Sequence, residues 1–330
     1  MRKFLLALVL FLGVIFIIGK YAEIQAIGET LRHGDWRYLG LALGLEVIWL
    51  FNVAMTYWVI YRKIGLDEKV ETLLLASSGA YFANVVAPTA GASGMAVFIS
   101  TARRRGYSTA RTTIAGLLYL LFDYLGFLCV LSLGLVVLFR RNDLNIPEII
   151  ASIALLSIAV ILVAMLYLGF HSAHQLGSAL AWFARQGNRV LKPFVHRLYF
   201  SENHAYEFAQ EAAIALYELR HKPSDLLLPA LLGIFNKALL ILILFLMFKA
   251  FSVPLSLGTL IAGFSISYLF LIVSPTPAGL GFVEGALTLA LSSMYIPLGA
   301  AAVVALAYRG ITFWLPLAIG GLSLRLLESR

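Results

Sequence analysis

Five ionisable side chains sit inside long apolar runs: Glu46, Asp123, Lys237, Glu284 and Arg309, with Asn52, Asn84 and Asn236 as neutral companions. If those runs lie in a bilayer, each charge costs about 2.5–3.5 kcal/mol to insert, so such groups pair with one another or line a polar passage. Lys237 and Arg309 fall near the middles of their runs, too far from the ends for their stems to reach water. Arg309 offers a rigid fork suited to phosphate, and Lys237 a mobile point charge. Both suit an anionic headgroup. Equally, three acids facing two bases can neutralise one another, for instance Glu284 with Arg309, and the sequence leaves both readings open.

Two proline-glycine clusters accompany these charges. Pro88, Thr89, Gly91 and Gly94 interrupt the apolar stretch 72–101. Pro275, Thr276, Pro277, Gly279 and Gly281 interrupt 257–296, with Glu284 three residues further on. Proline removes an amide donor and clashes with the preceding turn, while glycine permits the bend. Helices restarting after Gly94 and Gly281 are expected to present unpaired amides and a positive dipole end. The candidate substrate-contacting set is therefore Asp123, Lys237, Glu284 and Arg309, with Pro88, Gly94, Pro275, Thr276, Gly279 and Gly281 at the breaks. No HExxH, Walker loop or Gly-x-Ser-x-Gly elbow is present, so no catalytic residue and no cofactor is expected. His171 and His174 are spaced to share a helix face but have no evident third ligand, and no metal is expected.

Composition says which solvent holds these elements. Of 330 residues, 61% are hydrophobic and 13% charged, with a mean hydropathy of +0.90. A water-soluble chain of this length needs more polar surface, so the surrounding solvent is lipid. The formal charge of +8 lies mostly in short links between apolar runs, which argues for membrane topology and against a nucleic-acid partner. Cys129 lies within an apolar run and provides no disulfide framework. Arg2 and Lys3 open a short apolar segment without a small-x-small cleavage site, which reads as an uncleaved first helix.

Apolar runs at 4–19, 38–61, 112–139, 149–170, 226–248 and 298–322 mostly approach the roughly twenty residues of a helical span. The two interrupted stretches cannot face hydrocarbon with free backbone groups, so each is expected to be a buried helical hairpin that leaves on its entry side. The fold class that follows is all-α: a polytopic integral membrane protein with about six full spans plus two Pro/Gly-broken helical hairpins. With Met1 inside, 17 of the 25 Lys and Arg residues fall in inside links and six in outside links, leaving Lys237 and Arg309 within helices. The positive-inside rule then places both termini in the cytoplasm.

The interrupted stretches resemble each other. At an offset of 187, the 24 positions 78–101 hold seven identities, including Ser78 with Ser265, Tyr81 with Tyr268, Pro88 with Pro275 and Gly94 with Gly281. Parity has them enter from opposite sides, the mark of an inverted repeat, and paired broken helices point to a transporter's binding site. The single transmembrane domain, 1–330, then comprises pseudo-repeats at about 38–140 and 225–322. A helix and a cytoplasmic link, 171–224, join them, and the link holds an amphipathic segment with Phe208, Ala212, Ala215 and Leu219 on one face. Gly40 with Gly44, and Gly281 with Gly285, give small faces suited to close helix packing.

Together these residues resemble the lysylphosphatidylglycerol synthase transmembrane-region family, which includes the flippase portion of the bacterial multiple peptide resistance factor. The resemblance runs along essentially the whole chain and is strongest from Pro275 to Glu284 and from Tyr308 to Pro316. A weaker echo runs from Pro88 to Gly94, through Arg105 and Gly106, to Asp123. Many members carry a basic residue in the first proline-glycine loop, where 88–94 has none, and a Glu-Arg pair where this chain reads Tyr119-Leu120. The resemblance implies a prokaryotic cytoplasmic-membrane protein that handles lipids. The chain closes at Arg330, straight after the last apolar run, so the synthase activity of the full resistance factor is not expected.

The expected function is a flippase-like translocase moving a phospholipid or other anionic lipid between leaflets, with membrane lipids as partners and Lys237, Glu284 and Arg309 along the headgroup route. The alternative is a non-transporting scaffold for a lipid-modifying or glycosyl-transferring enzyme, docked through the link; a homo-oligomer is a further possible partner. Without an ATP motif, transport is facilitated diffusion or ion-coupled, and a proton can ride on Glu284 or Glu46.

Overall fold

The computed structural model of the protein describes residues 21–87, 89, 91–141, 146–172, 174–178, 181–182, 185–186, 206–214, 223–274 and 276–329. The regular elements among them are all helical: α1 (Tyr21–Arg32), α2 (Trp36–Lys63), α3 (Val70–Val86), α4 (Ala92–Arg104), α5 (Thr109–Arg140), α6 (Ile146–His171), α7 (Leu227–Ala250), α8 (Leu257–Val273), α9 (Phe282–Ser293), α10 (Leu298–Arg309) and α11 (Leu315–Ser329). A 3-10 turn, Pro223–Leu226, leads into α7, and another, Pro277–Gly279, separates α8 from α9. A π turn, Gly310–Trp314, joins α10 to α11 in one continuous rod.

The chain is an all-α polytopic membrane protein. Helices α2, α5, α6, α7 and the α10–α11 rod are long and apolar enough to cross a bilayer, and they coincide with five of the six apolar runs. The sixth run, 4–19, lies outside the described residues, as do Pro88, Pro275 and most of the link. Side-chain caps set several starts: Asp35 accepts from the Arg37 amide at 2.9 Å, Ser108 from those of Ala110 and Arg111, and Ser256 from that of Thr259. Outward faces stay apolar, with Leu133, Val136 and Phe139 on α5 and Ile149, Ile150 and Ile153 on α6 exposed. In lipid such exposure carries no hydrophobic penalty.

Helices α3 and α4 pack on each other, as do α8 and α9. The arms are short. At 1.5 Å per residue, the 17 residues of α3 or α8 rise about 25 Å, and the 13 and 12 residues of α4 and α9 about 20 Å, against a hydrocarbon core of about 30 Å. Each break therefore lies at membrane depth.

The two halves share one frame. Helices α3 and α8 are displaced by 187 residues at both ends, and α2 is displaced by the same 187 from residues 223–250, the 3-10 turn with α7. These counterparts α2 and α7 lie side by side and antiparallel. The Asp35 amide donates to Ala250 O at 2.9 Å, Trp49 Nε1 to Asn236 Oδ1 at 3.0 Å, Asn52 Nδ2 to Leu232 O at 3.1 Å, and Lys63 Nζ to Asp225 Oδ1 at 2.6 Å. Ascending one helix descends the other, the relation an inverted repeat requires.

Small residues make the close crossings, although not the ones the small-x-x-x-small spacing suggests. A Cβ added at Gly40, Gly44, Gly281 or Gly285 would meet nothing within 4 Å, so these faces pack against no helix of this chain among the described residues. The tight approaches are elsewhere. A Cβ at Gly320 would lie 2.3 Å from Ser78 O, and one at Gly134 would lie 2.2 Å from Oγ of Ser265, the matched serine of the other half. Between α5 and α7, Cβ atoms at Gly126 and Gly233 would meet Gly233 O at 2.7 Å and Phe122 O at 2.6 Å. Backbone cannot give way as a flexible side chain can. Gly233→Val is thus expected to cost about 1–3 kcal/mol from overpacking, read as a lower midpoint of thermal unfolding in detergent. Gly40→Val, in open space, should leave that midpoint in place.

Candidate functional site

Among the described residues, two buried ion pairs occupy the interior. The first joins three helices. Lys237 on α7, 0% exposed, places Nζ 2.6 Å from Asp123 Oδ1 on α5 and donates to Tyr268 Oη on α8 at 2.5 Å. The Tyr268 hydroxyl in turn donates to Asp123 Oδ2 at 2.9 Å, and the ammonium lies 4.0 Å from the tyrosine ring centroid. The glycine crossing makes this possible: Gly126 is three residues beyond Asp123 and Gly233 four before Lys237, so the backbones approach where the charges must meet.

The second pair lies at the second break. Arg309, 3% exposed at the end of α10, donates from Nε to Glu284 Oε1 at 2.8 Å and from Nη2 to the Ala278 carbonyl at 2.9 Å. Glu284 sits in the first turn of α9, where the helix dipole favours a carboxylate. Its second oxygen, Oε2, is buried with no hydrogen-bond partner among the described residues. The π turn follows Arg309 at once, a distortion frequent at functional sites, and its Phe313 lies under the guanidinium at 4.5 Å.

The breaks themselves differ. In the first, Gly91 (φ +91°) precedes α4, which begins at Ala92 and not after Gly94. The Gly94 amide donates to Asn84 Oδ1 at 2.7 Å, the Ser93 amide to Thr89 Oγ1 at 2.8 Å, and Ser93 Oγ to Ala87 O at 2.7 Å. The expected unpaired amides at Gly94 are thus corrected: the Asn84 side chain lies over that glycine, where a Cβ would come within 2.4 Å of its Nδ2. In the second break the position matching Asn84 is Leu271, and Gly281 caps α9 without a side-chain hydrogen bond. Thr276 staples the turn, its Oγ1 donating to Leu280 O at 3.1 Å and its carbonyl accepting from the Gly279 amide at 3.1 Å. Ala278, Gly279 and Gly281 all have positive φ (52°, 74° and 73°), and a Cβ at Gly279 would fall 2.3 Å from Val283 Cγ2. One break is closed by a neutral amide, the other by a buried cation.

The structure therefore separates residues that the sequence grouped. Arg309, Glu284, Thr276, Gly279 and Gly281 belong to one centre, and Lys237 with Asp123 to another; no hydrogen bond or ion pair links the two among the described residues. Pro88 and Pro275 lie outside the described residues. Sequence reasoning missed Tyr268, the Ala278 carbonyl and Phe313. Only the tyrosine had left a trace, as the match of Tyr81, whose hydroxyl donates to Thr312 O at 3.4 Å in the π turn that follows Arg309. Of the two matched tyrosines, Tyr268 hydrogen-bonds an ion pair directly.

An all-helical membrane protein with two interrupted hairpins and a charged interior is the class this arrangement defines. The chain belongs to the lysylphosphatidylglycerol synthase transmembrane-region family, whose pattern it matches over residues 4–320. No curated protein matches it significantly.

Proposed function

We propose that the protein moves a phospholipid or another anionic lipid between the leaflets of a prokaryotic cytoplasmic membrane, with both termini on the cytoplasmic side. The observation that carries this reading is Arg309, a buried guanidinium held at the break of a membrane helix by a carboxylate oxygen and a backbone carbonyl. Phosphate oxygens present the same paired acceptors, so an arriving headgroup can take over both donors as a fork. Family membership supports a lipid as cargo, and the 17-to-6 excess of basic residues in inside links supports the orientation. The Lys237–Asp123–Tyr268 centre, with both carboxylate oxygens and the ammonium engaged by one another, acts as a clasp between α5, α7 and α8.

Movement in a direction requires the inward- and outward-facing states to bind the headgroup differently, and the exchange of Glu284 for phosphate at Arg309 supplies such a difference. The protein reconstituted in liposomes should equilibrate fluorescent phosphatidylglycerol between leaflets faster than protein-free vesicles do. Rates no higher than in protein-free vesicles, across several headgroups including isoprenoid phosphates, remove the proposal. The scaffold alternative makes the opposite prediction: deletions within 171–224 abolish function, whereas Arg309→Ala is silent.

A further inference from the structure

Another buried acid, well inside a membrane span, belongs to neither ion pair. Glu46 lies ten residues into the 28-residue α2 and is 0% exposed, and neither Oε1 nor Oε2 has a hydrogen-bond partner among the described residues. Among the described residues it has no ion-pair partner. Packing links it to the Arg309 centre: one turn along α2, Trp49 meets Tyr81 of α3 edge-on at 6.5 Å, and Tyr81 in turn lies 6.5 Å from Phe313, whose ring underlies the Arg309 guanidinium at 4.5 Å. Glu284 of α9 holds the Arg309 guanidinium through its Oε1 at 2.8 Å. On α7, Asn236 accepts from Trp49, and Lys237 is engaged by Asp123 of α5 and Tyr268 of α8. Helix α1 reaches this region with Ile27 and Leu31, against Gly310.

A carboxylate with no donor and no cation in contact does not persist at membrane depth; the group takes up a proton. Charge then follows by counting. With Glu46 neutral, the Arg309–Glu284 centre and its neighbour sum to zero, and an anionic headgroup brings the sum to one negative charge. Loss of the Glu46 proton with the headgroup in place makes it two, and like charges in a low-dielectric interior repel strongly. We infer that Glu46 is a proton-binding site coupled to the Arg309 centre, so that one proton and one anionic headgroup are taken up together on one side of the membrane and released together on the other. In the closed state shown here the Glu46 carboxyl keeps its proton; where the passage opens, water reaches the carboxyl, and the proton enters from water with the headgroup's charge on the uptake side and returns to water once that charge has left on the release side. Sequence alone offered Glu284 and Glu46 equally as carriers; in the state the structure shows, Glu284 has the Arg309 guanidinium to neutralise it, whereas neither oxygen of Glu46 has a partner among the described residues, so Glu46 is the acid that holds the proton.

This inference rests on the lipid-translocation reading, and it makes transport electroneutral, driven by a pH difference and indifferent to membrane potential. Two measurements on the full chain test it. The first is the infrared carbonyl-stretch band of a protonated, buried carboxylic acid in detergent at neutral pH, expected in the natural protein and absent in Glu46→Gln. Glutamine copies the neutral acid in shape, and thermal unfolding checks that the variant folds. The second is the leaflet distribution of fluorescent phosphatidylglycerol in proteoliposomes under an imposed pH difference, with protein-free vesicles as the baseline. For one proton per lipid, the distribution should shift toward the alkaline side by up to about tenfold per pH unit. It should not respond to a potassium diffusion potential, and Glu46→Gln should abolish the shift. A natural protein without the band, a band that survives in Glu46→Gln, or a variant with the full pH-driven shift overturns the inference while leaving translocation standing. A natural protein that moves no lipid overturns the translocation reading, and the band alone then decides whether Glu46 holds a proton.

Discussion

Arg309→Ala is expected to reduce lipid translocation to the rate of protein-free vesicles. The guanidinium is the one cation placed at a helix break among the described residues, and its removal deletes the fork that a phosphate would enter. The single variant also damages the fold. It strands Glu284 as a buried, unpaired acid, for which the expected loss is about 3–5 kcal/mol, so a dead protein would prove little by itself. Arg309→Met combined with Glu284→Leu removes both charges and refills their volume. Replacing a buried pair by apolar residues is neutral or stabilising by about 1–4 kcal/mol in known cases, so the double variant should melt near the natural protein and still move no lipid. Arg309→Lys keeps the charge but cannot span Glu284 and Ala278 with two parallel donors, and its flux should fall by about tenfold or more. Reconstituted flux and detergent melting, measured on all three, separate the roles. Natural flux in the double variant would reduce the Arg309 pair to packing.

The fold was legible because a bilayer imposes a simple code. Apolar runs long enough to span must be helices, and the runs at 38–61 and 226–248 became α2 and α7 with ends shifted by a few residues. The register of 187, seen as identities between the hairpins, also governs helices with little identity, since α2 and α7 match in extent and lie antiparallel. Side-chain partnership was less legible. Glu284 with Arg309 could be guessed from charge and proximity in the same half of the chain. Asp123 with Lys237 could not, because that pair spans 114 residues and depends on a backbone crossing at Gly126 and Gly233, which spacing motifs do not reveal. The glycines whose spacing did suggest packing, Gly40 and Gly44, proved to face outward. Asn84 shows a further limit. A neutral amide in an apolar run reads as a possible pathway residue, yet here it satisfies the backbone of the break ten residues later. The acid left without a partner among the described residues, Glu46, is conspicuous only once the other acids and bases in the apolar runs have found theirs.

Lys237→Met should be more damaging to the fold than any other single change outside the Arg309 centre, and yet be repairable. Lys237 is entirely buried, and its ammonium is the counter-charge that Asp123 meets between α5, α7 and α8. Without it Asp123 keeps only the Tyr268 hydroxyl, and the expected loss is again about 3–5 kcal/mol. Adding Asp123→Leu removes the stranded acid and fills the gap with apolar volume, so stability should return to within about 1–2 kcal/mol of the natural protein, less the hydrogen bond lost from Tyr268. A clasp makes a second demand. If Lys237 only fixes three helices against one another, the repaired variant must also recover most of the lipid flux, because the headgroup contacts at Arg309 are untouched. If Lys237 lies on the headgroup route, the repaired variant will fold but fail to transport. The double-mutant cycle in melting and in flux therefore assigns the buried lysine: coupling in stability alone marks a clasp, and a loss of flux that Asp123→Leu cannot restore marks a binding residue.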